Sequence, residues 1–223
     1  MREYVLKRSA RKSIGLYIRG GGLEVRAPFK APIRDIEEFV ASKEKWIAGK
    51  ISAQAEHAER RGAFAVGYGS FVLYLGARYP VDPRDGGRAG FDGNCFFMPP
   101  GMQPGQIKAV CEKTYRLLAK KHLGERTRHY AGLMSAVPAS VRITGATTRW
   151  GSCSAKKTIN FSWRLIMAGN EIVDYVVVHE LAHLTEMNHS ARFWRIVGDI
   201  LPDYGSRRKR LREFQKKLSA EDW

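Results

Sequence analysis

Two histidines bracket a glutamate in the run His179-Glu180-Leu181-Ala182-His183. On an α-helix, positions four apart lie about 40° apart around the axis, so both imidazoles can be aimed at one metal ion. Glu180 lies beside them, where its carboxylate can face a water held by that metal. Zinc lowers the pKa of such a water to about 7. A neighbouring carboxylate can take the proton as the water attacks a carbonyl, then pass it to the leaving amine. Each residue type has a separate task, which makes the pattern more specific than a pair of histidines. The chemistry is metal-dependent hydrolysis with Glu180 as the catalytic base. Zn2+ is the expected cofactor, and other divalent transition metals suit the same donors.

A catalytic zinc takes three protein ligands and keeps one position open. His189 stands at the offset of the third histidine in the extended HExxHxxGxxH pattern. Glu186 occupies the glycine position of that pattern, so the turn must be made otherwise. Asn188 can adopt the left-handed conformation that ends a helix, which would swing His189 back toward the metal. Glu186 is the competing third ligand. Around this centre stand candidate substrate-binding residues. Arg149 can stabilise a developing oxyanion or bind a phosphate. Gly151 would let a substrate approach the backbone, and Ser152 can donate a hydrogen bond, with Trp150 and Cys153 packed beneath the helix. Asn160 sits on an expected strand, Ile159 to Trp163, which is the candidate edge for pairing with an extended substrate. Tyr204 is a candidate oxyanion donor, and Asp199 and Asp203 are candidate acceptors for a ligand imidazole. His57, His122 and His129 fall on basic helices and read as solvated.

The elements that must position these groups are legible from periodicity. Val173, Val176, Val177 and Val178 precede His179, so the metal-binding helix is apolar and sinks the site into a core. Asn170 can cap that helix, with Glu171 in its first turn. Ile14, Leu16 and Ile18 alternate with polar or small residues, as do Leu23 and Val25, and Gly20-Gly21-Gly22 between them predicts a hairpin. Ile33 to about Arg60 has helical spacing. Phe71 to Leu75 and Tyr79 to Val81 predict a second hairpin, residues 82–94 an exposed loop, and Asn94 to Met98 a short strand. Pro99-Pro100-Gly101 is a break. Beyond it come a basic helix from Gln106 to Tyr130, a strand at Val141 to Ile143, and a last helix from Ser206 to Leu218. That last helix carries the basic run Arg207-Arg208-Lys209-Arg210, with Leu211, Phe214 and Leu218 facing inward. The expectation is an α+β protein: a β-rich N-terminal module with one helix over residues 1–100, and a compact catalytic domain over 101–223.

The formal net charge is +16, a balance that attracts polyanions such as nucleic acid or nucleotides. No stretch nears the roughly 20 apolar residues of a membrane span, and no apolar signal core follows Met1. Three widely spaced cysteines form no CxxC pair, which points to a reducing cytoplasm.

The run Val177 to His183, followed by Asn188-His189-Ser190 and Phe193-Trp194, resembles the YgjP-like family of metal-dependent hydrolases. Arg149 to Ser154, Asn160 to Leu165, Val25 to Pro28 and Tyr74-Leu75-Gly76 extend the resemblance along nearly the whole chain. The resemblance implies a zincin-like catalytic domain with His179, His183 and His189 as ligands and Glu180 as general base. It also implies kinship with SprT-like and WLM-type domains, some of which cut proteins attached to DNA. The leading expectation is a zinc metallopeptidase acting on polypeptide. Two alternatives stand beside it: a metal-dependent hydrolase of nucleoside triphosphates or other phosphoanhydrides, and a nucleic-acid-associated protease activated by DNA.

Overall fold

The computed structural model describes residues 2–219 and 221–223, without the side chains of His57 and Arg61. The expectation for His57 therefore lies outside the described residues. The chain divides into two compact units, Met1–Phe64 with Ser219–Asp222, and Ala65–Leu218 with Trp223.

The first unit builds its core from one sheet face and two helices. Strand β1 (Tyr4–Ser9), β2 (Gly15–Arg19) and β3 (Gly22–Pro28) form a sheet in the order β1-β3-β2. The predicted hairpin is β2 and β3, turned at Gly20-Gly21 with both φ positive. Strand β1 was not expected. It pairs parallel with β3 from Tyr4↔Leu23 to Ser9↔Pro28, a non-local contact with no local signal. The expected long helix is two, α1 (Ile33–Ser42) and α2 (Glu44–Ala63), separated at Lys43, whose N–H bonds back to the Val40 and Ala41 carbonyls. Leu23, Val25, Ala27, Ile36, Val40 and Ile47 form the buried cluster between sheet and helices.

In the second unit, β4 (Phe71–Tyr74), β5 (Ala77–Pro83), β6 (Gly90–Phe91) and β7 (Phe96–Met98) form a sheet in the order β4-β5-β7-β6. The 30-residue helix α3 (Pro104–Leu133) follows. Strands β8 (Ser140–Thr144), β9 (Gly151–Cys153) and β10 (Thr158–Ser162) form a second sheet, and a 3-10 turn spans Trp163–Met167. Helices α4 (Asn170–Ala182), α5 (Ala191–Ile200) and α6 (Tyr204–Leu218) complete the chain. The boundary expected near residue 100 falls inside this unit, between β7 and α3. The reason is packing: the Tyr115 ring of α3 lies against Phe96 of β7 at 5.0 Å and stacks on Trp163 at 5.5 Å, while its hydroxyl donates to the Leu73 carbonyl of β4 at 2.6 Å.

The β4–β5 turn also braces the start of α4. Leu75 N–H donates to the Ile166 carbonyl at 2.7 Å. Gly76 has φ +83, and a Cβ there would lie 3.0 Å from Gly169 Cα. Position 76 therefore needs glycine twice over, for its conformation and for the close approach of two backbones. Gly169 rather than Asn170 is the cap of α4. Asn170 begins the helix, and its Oδ1 accepts from His122 Nε2 at 2.9 Å, so His122 is engaged rather than free in solvent. His129 packs edge-on against Tyr130.

Helix α4 is buried nearly all round, from Ile172 through Val178 and again at Leu181 and Ala182. Its valines are poor helix formers, so tertiary packing rather than propensity holds it. Two carboxyl side chains lie deep in it, Glu180 and Asp174, of which Asp174 is 8% exposed. Arg126 of α3 donates to Asp174 from Nε at 2.6 Å and from Nη2 at 3.0 Å. Removing Arg126 leaves that carboxylate buried and unpaired. Arg126→Ala is expected to cost about 2 kcal/mol and lower the melting temperature by roughly 4–8 °C. An unchanged thermal melt would show that the pair does not anchor α4 on α3.

No helix among the described residues is long and apolar enough to cross a membrane.

Candidate metal centre

Helix α4 delivers the two histidines of the motif. His179 lies in its last turn and His183 is its C-cap residue. The helix ends there, six residues earlier than His189. The turn that follows is made by backbone bonds from Leu184, Thr185 and Glu186 to the carbonyls of Leu181 and Ala182. Asn188 does not take the left-handed conformation expected of it, since the described non-glycine residues with positive φ are Leu75, Ser135 and Lys157. Instead its Oδ1 accepts from Ser190 N–H at 2.9 Å. Ser190 in turn caps α5 by accepting from Phe193 N–H. Helix α5 was not expected. Its Phe193 packs under all three imidazoles, with centroids 4.9, 4.5 and 4.7 Å from His179, His183 and His189.

This turn brings His189 back onto the helix. A ligand atom from each of His179, His183 and His189 lies within 4.8 Å of the others, the group of donors among the described residues that could hold a metal ion. The alternative donor, Glu186, is outside the group and contributes its backbone instead. His183 Nδ1 donates to the Glu186 carbonyl at 3.0 Å, which fixes the tautomer and leaves the Nε2 lone pair free. His189 Nε2 and His179 Nε2 lie 3.1 Å apart. Two nitrogens each about 2.0–2.1 Å from one tetrahedral ion would be about 3.3 Å apart, so the donor set fits such an ion. Burial, then the two neighbouring imidazoles and Arg208, holds His179 down to about 3. Burial also lowers His183. Neutral imidazoles are the form that ligates.

Glu180 is 6% exposed. Burial raises its carboxyl to about 7, against the opposing charge of Arg149. Its carboxylate lies against Gly151, where a Cβ would sit 2.5 Å from Oε1, 2.6 Å from Cγ and 2.8 Å from Cδ. The glycine expected to admit substrate is thus first occupied by Glu180 itself.

The strand expected to be an edge is central. β10 pairs parallel with β8 and antiparallel with β9. The edge beside Glu180 is β9, for which the sequence carries no strand signal. Ser162 N–H donates to the Trp150 carbonyl at 2.9 Å, and Ser154 N–H to the Thr158 carbonyl at 3.0 Å. In an antiparallel pair such bonded positions alternate, so the N–H and C=O of Gly151 and Cys153 face away from β10.

Arg149, Ser152 and Asn160 come together. With Thr144, Ser162 and Gly151 they line a cavity of about 200 Å³. Asn160 Nδ2 donates to Ser152 Oγ across the β9–β10 pair at 3.3 Å. Tyr204 does not join them. It stacks on Trp194 at 5.3 Å, and Trp194 lies between it and the imidazoles of His179 and His189. Asp203 pairs with Arg207 at 2.9 Å, and neither it nor Asp199 bonds a ligand imidazole among the described residues.

A second cavity of about 170 Å³ opens beside His179 and Glu180, walled by Trp150, Tyr175, Val176 and Leu211. Tyr175 carries no chemical signal in the sequence beyond its place one helical turn before His179, and its ring lies 5.8 Å from that imidazole. Leu211 faces inward on α6 as expected, and Phe214 meets Trp150 at 5.5 Å. Trp150 is therefore both packing and cavity wall.

A buried helix with two imidazoles and a carboxylate, a third imidazole returned by the next turn, and an open strand edge beside them define a metal-site protein with hydrolase geometry. The chain belongs to the YgjP-like metallopeptidase domain family, which matches residues 12–214. At the level of that family it is a metal-dependent peptidase. No curated protein matches it. Among solved structures, the metallopeptidase zymogen of Pyrococcus abyssi abylysin is 25% identical, over 40% of this chain and 90% of that one, with a TM-score of 0.38.

Proposed function

We propose that this chain is a zinc-dependent peptidase in which His179, His183 and His189 hold the ion and Glu180 is the general base. The observation that carries the reading is the placement of Glu180, on the turn of α4 that bears His179 and pressed against the backbone of an open strand edge at Gly151. The bound ion supplies Lewis acidity toward water and toward the carbonyl under attack. Glu180 takes a proton from the attacking water and hands it to the leaving amine. An extended polypeptide pairs with the outward N–H and C=O groups of Gly151 and Cys153, which sets its carbonyl beside Glu180. The apolar wall of α4 and Phe193 excludes bulk water and strengthens each charge interaction inside. All three cysteines are free thiols, which supports a reducing cytoplasm as the place of action.

Purified protein is expected to carry about one transition-metal ion per chain, with zinc dominant by elemental analysis. Loss of a partner that merely orients a ligand costs about 10–100-fold in metal affinity, so His183→Ala or His189→Ala should cost at least that. Because the ion binds the folded chain preferentially, chelation should lower the melting temperature. Metal-free protein whose melt and activity ignore chelator would remove the site assignment. The substrate class is tested by offering the loaded protein unstructured polypeptides and nucleoside triphosphates side by side. Peptide fragments support the reading, pyrophosphate release replaces it with phosphoanhydride hydrolysis, and cleavage that requires DNA replaces it with a nucleic-acid-activated protease.

A further inference from the structure

We propose that the free edge of β9 reads two adjacent residues of its polypeptide, an acidic side chain seated by Arg149, Ser152 and Asn160, and an apolar side chain seated by Trp150, Tyr175 and Leu211. This rests on the peptidase reading above and names its substrate class.

The adjacency follows from strand geometry. Successive side chains of an extended chain point to opposite faces of the sheet it joins. Ser152 stands opposite Asn160, and Thr144 opposite Ser162, so these four side chains share one face. Gly151 stands opposite Phe161 and Cys153 opposite Ile159 on the other face, where Glu180 packs. A substrate residue across from Ser152 therefore turns its side chain to the first cavity. Its neighbour across from Gly151 turns to the α4 face, where the second cavity lies beside His179 and Glu180.

The first cavity is built to receive an acceptor. The Ser162 hydroxyl spends its proton on the Ala146 carbonyl, and that of Thr144 on the Phe161 carbonyl. Ser152 Oγ accepts from Asn160 Nδ2, so its own proton and the second Asn160 N–H remain to be given. Arg149 adds a guanidinium that has no hydrogen bond or ion pair among the described residues. No Asp or Glu lines the cavity. The donors left unspent, the Ser152 O–H and one Asn160 N–H, stand beside one positive charge and no negative one, an arrangement that suits a carboxylate, while Asn160 Oδ1 and the hydroxyl lone pairs remain as acceptors. The second cavity is walled by aromatic and aliphatic side chains and suits a medium apolar group.

The test is an internally randomised, C-terminally amidated peptide library incubated with metal-loaded protein, with fragments read by mass spectrometry. The expected result is Asp or Glu enriched at one position, directly beside an apolar residue. In matched single peptides, Asp should exceed Asn in kcat/KM by about ten- to a hundredfold, the range of a charge-assisted hydrogen bond. The difference should lie mainly in KM. Arg149→Gln should bring that ratio toward one, Arg149→Glu should turn the preference to Lys, and Leu211→Trp should shift the neighbouring position to smaller side chains. Cleavage without acidic selection, or selection that survives Arg149→Glu, overturns the proposal. Selection that appears only in peptides with a free C-terminal carboxylate also overturns it, assigning the cavity to a chain end. If no peptide is cut, the same library is captured on Glu180→Gln protein. Acidic enrichment that Arg149→Glu abolishes would keep the cavity assignment and overturn only the peptidase reading. No enrichment would overturn both.

Discussion

Glu180→Gln is expected to lower peptide cleavage by about 10²–10⁴-fold, the usual share of a general acid–base group. The substitution keeps the volume of the side chain and removes only its ability to take a proton. The three imidazoles are untouched, so metal content should match the wild type. Stability should hold or rise, because a carboxyl that is 6% exposed and costly to ionise there is replaced by a neutral amide. The diagnostic result is thus a split: metal and melting temperature kept, turnover lost. A variant that retains full activity would show that the proton passes through another group and that the mechanism is wrong.

Gly151→Ala should be nearly as damaging, although the residue has no functional group. Its new methyl would lie 2.5–2.8 Å from three atoms of the Glu180 side chain. Such contacts cannot stand. All three contacts are to the Glu180 side chain and β9 is held by the central strand β10, so it is the Glu180 side chain that must turn aside, toward the cavity that opens beside it. Overpacking of this kind costs about 1–3 kcal/mol. A misplacement of about 1 Å at the reacting groups costs on the order of 10²-fold in rate. The prediction is a fall of at least that size in kcat, with metal retained and the melting temperature lowered by a few degrees. The decisive comparison is a double mutant. If Gly151 acts by positioning Glu180, then Gly151→Ala on top of Glu180→Gln should cost little further activity. Additive losses would mean that Gly151 serves the site by a route independent of Glu180.

Such effects show which parts of the site were visible in the chain of residues. The His179–Glu180–His183 spacing is a statement about one helix, and helical geometry is local. Once Val173 to Val178 predicted a buried helix, the relative placement of two imidazoles and a carboxylate followed. The hairpin at Gly20-Gly21 was legible for the same reason, since turn type and alternation involve only neighbours in sequence. The metal-binding turn was less accessible. His189 and Glu186 were both in reach of the ion, and the expected left-handed Asn188 gave the return of His189 by a device the protein does not use. The structure closes that turn with backbone bonds to Leu181 and Ala182 and an Asn188 side chain holding Ser190, and it spends the Glu186 carbonyl on His183.

The strand edge was decided only by the tertiary structure. Residues Ile159, Phe161 and Trp163 alternate as a strand should, and that pattern says nothing about which neighbours flank it. β8 and β9 take both sides of β10, so the open edge passes to Gly151–Cys153, three residues too short to carry a periodic signal. The same holds for β1, whose parallel pairing with β3 joins segments far apart in the chain. From the sequence alone came the helix that holds the metal donors and the base, because a 3.6-residue period and a short hydrogen-bond span place those groups without outside help. Strand order, and with it the edge open to substrate, the glycine pressed on Glu180 and the two cavities on either face, came from pairings between distant segments, which no local period encodes.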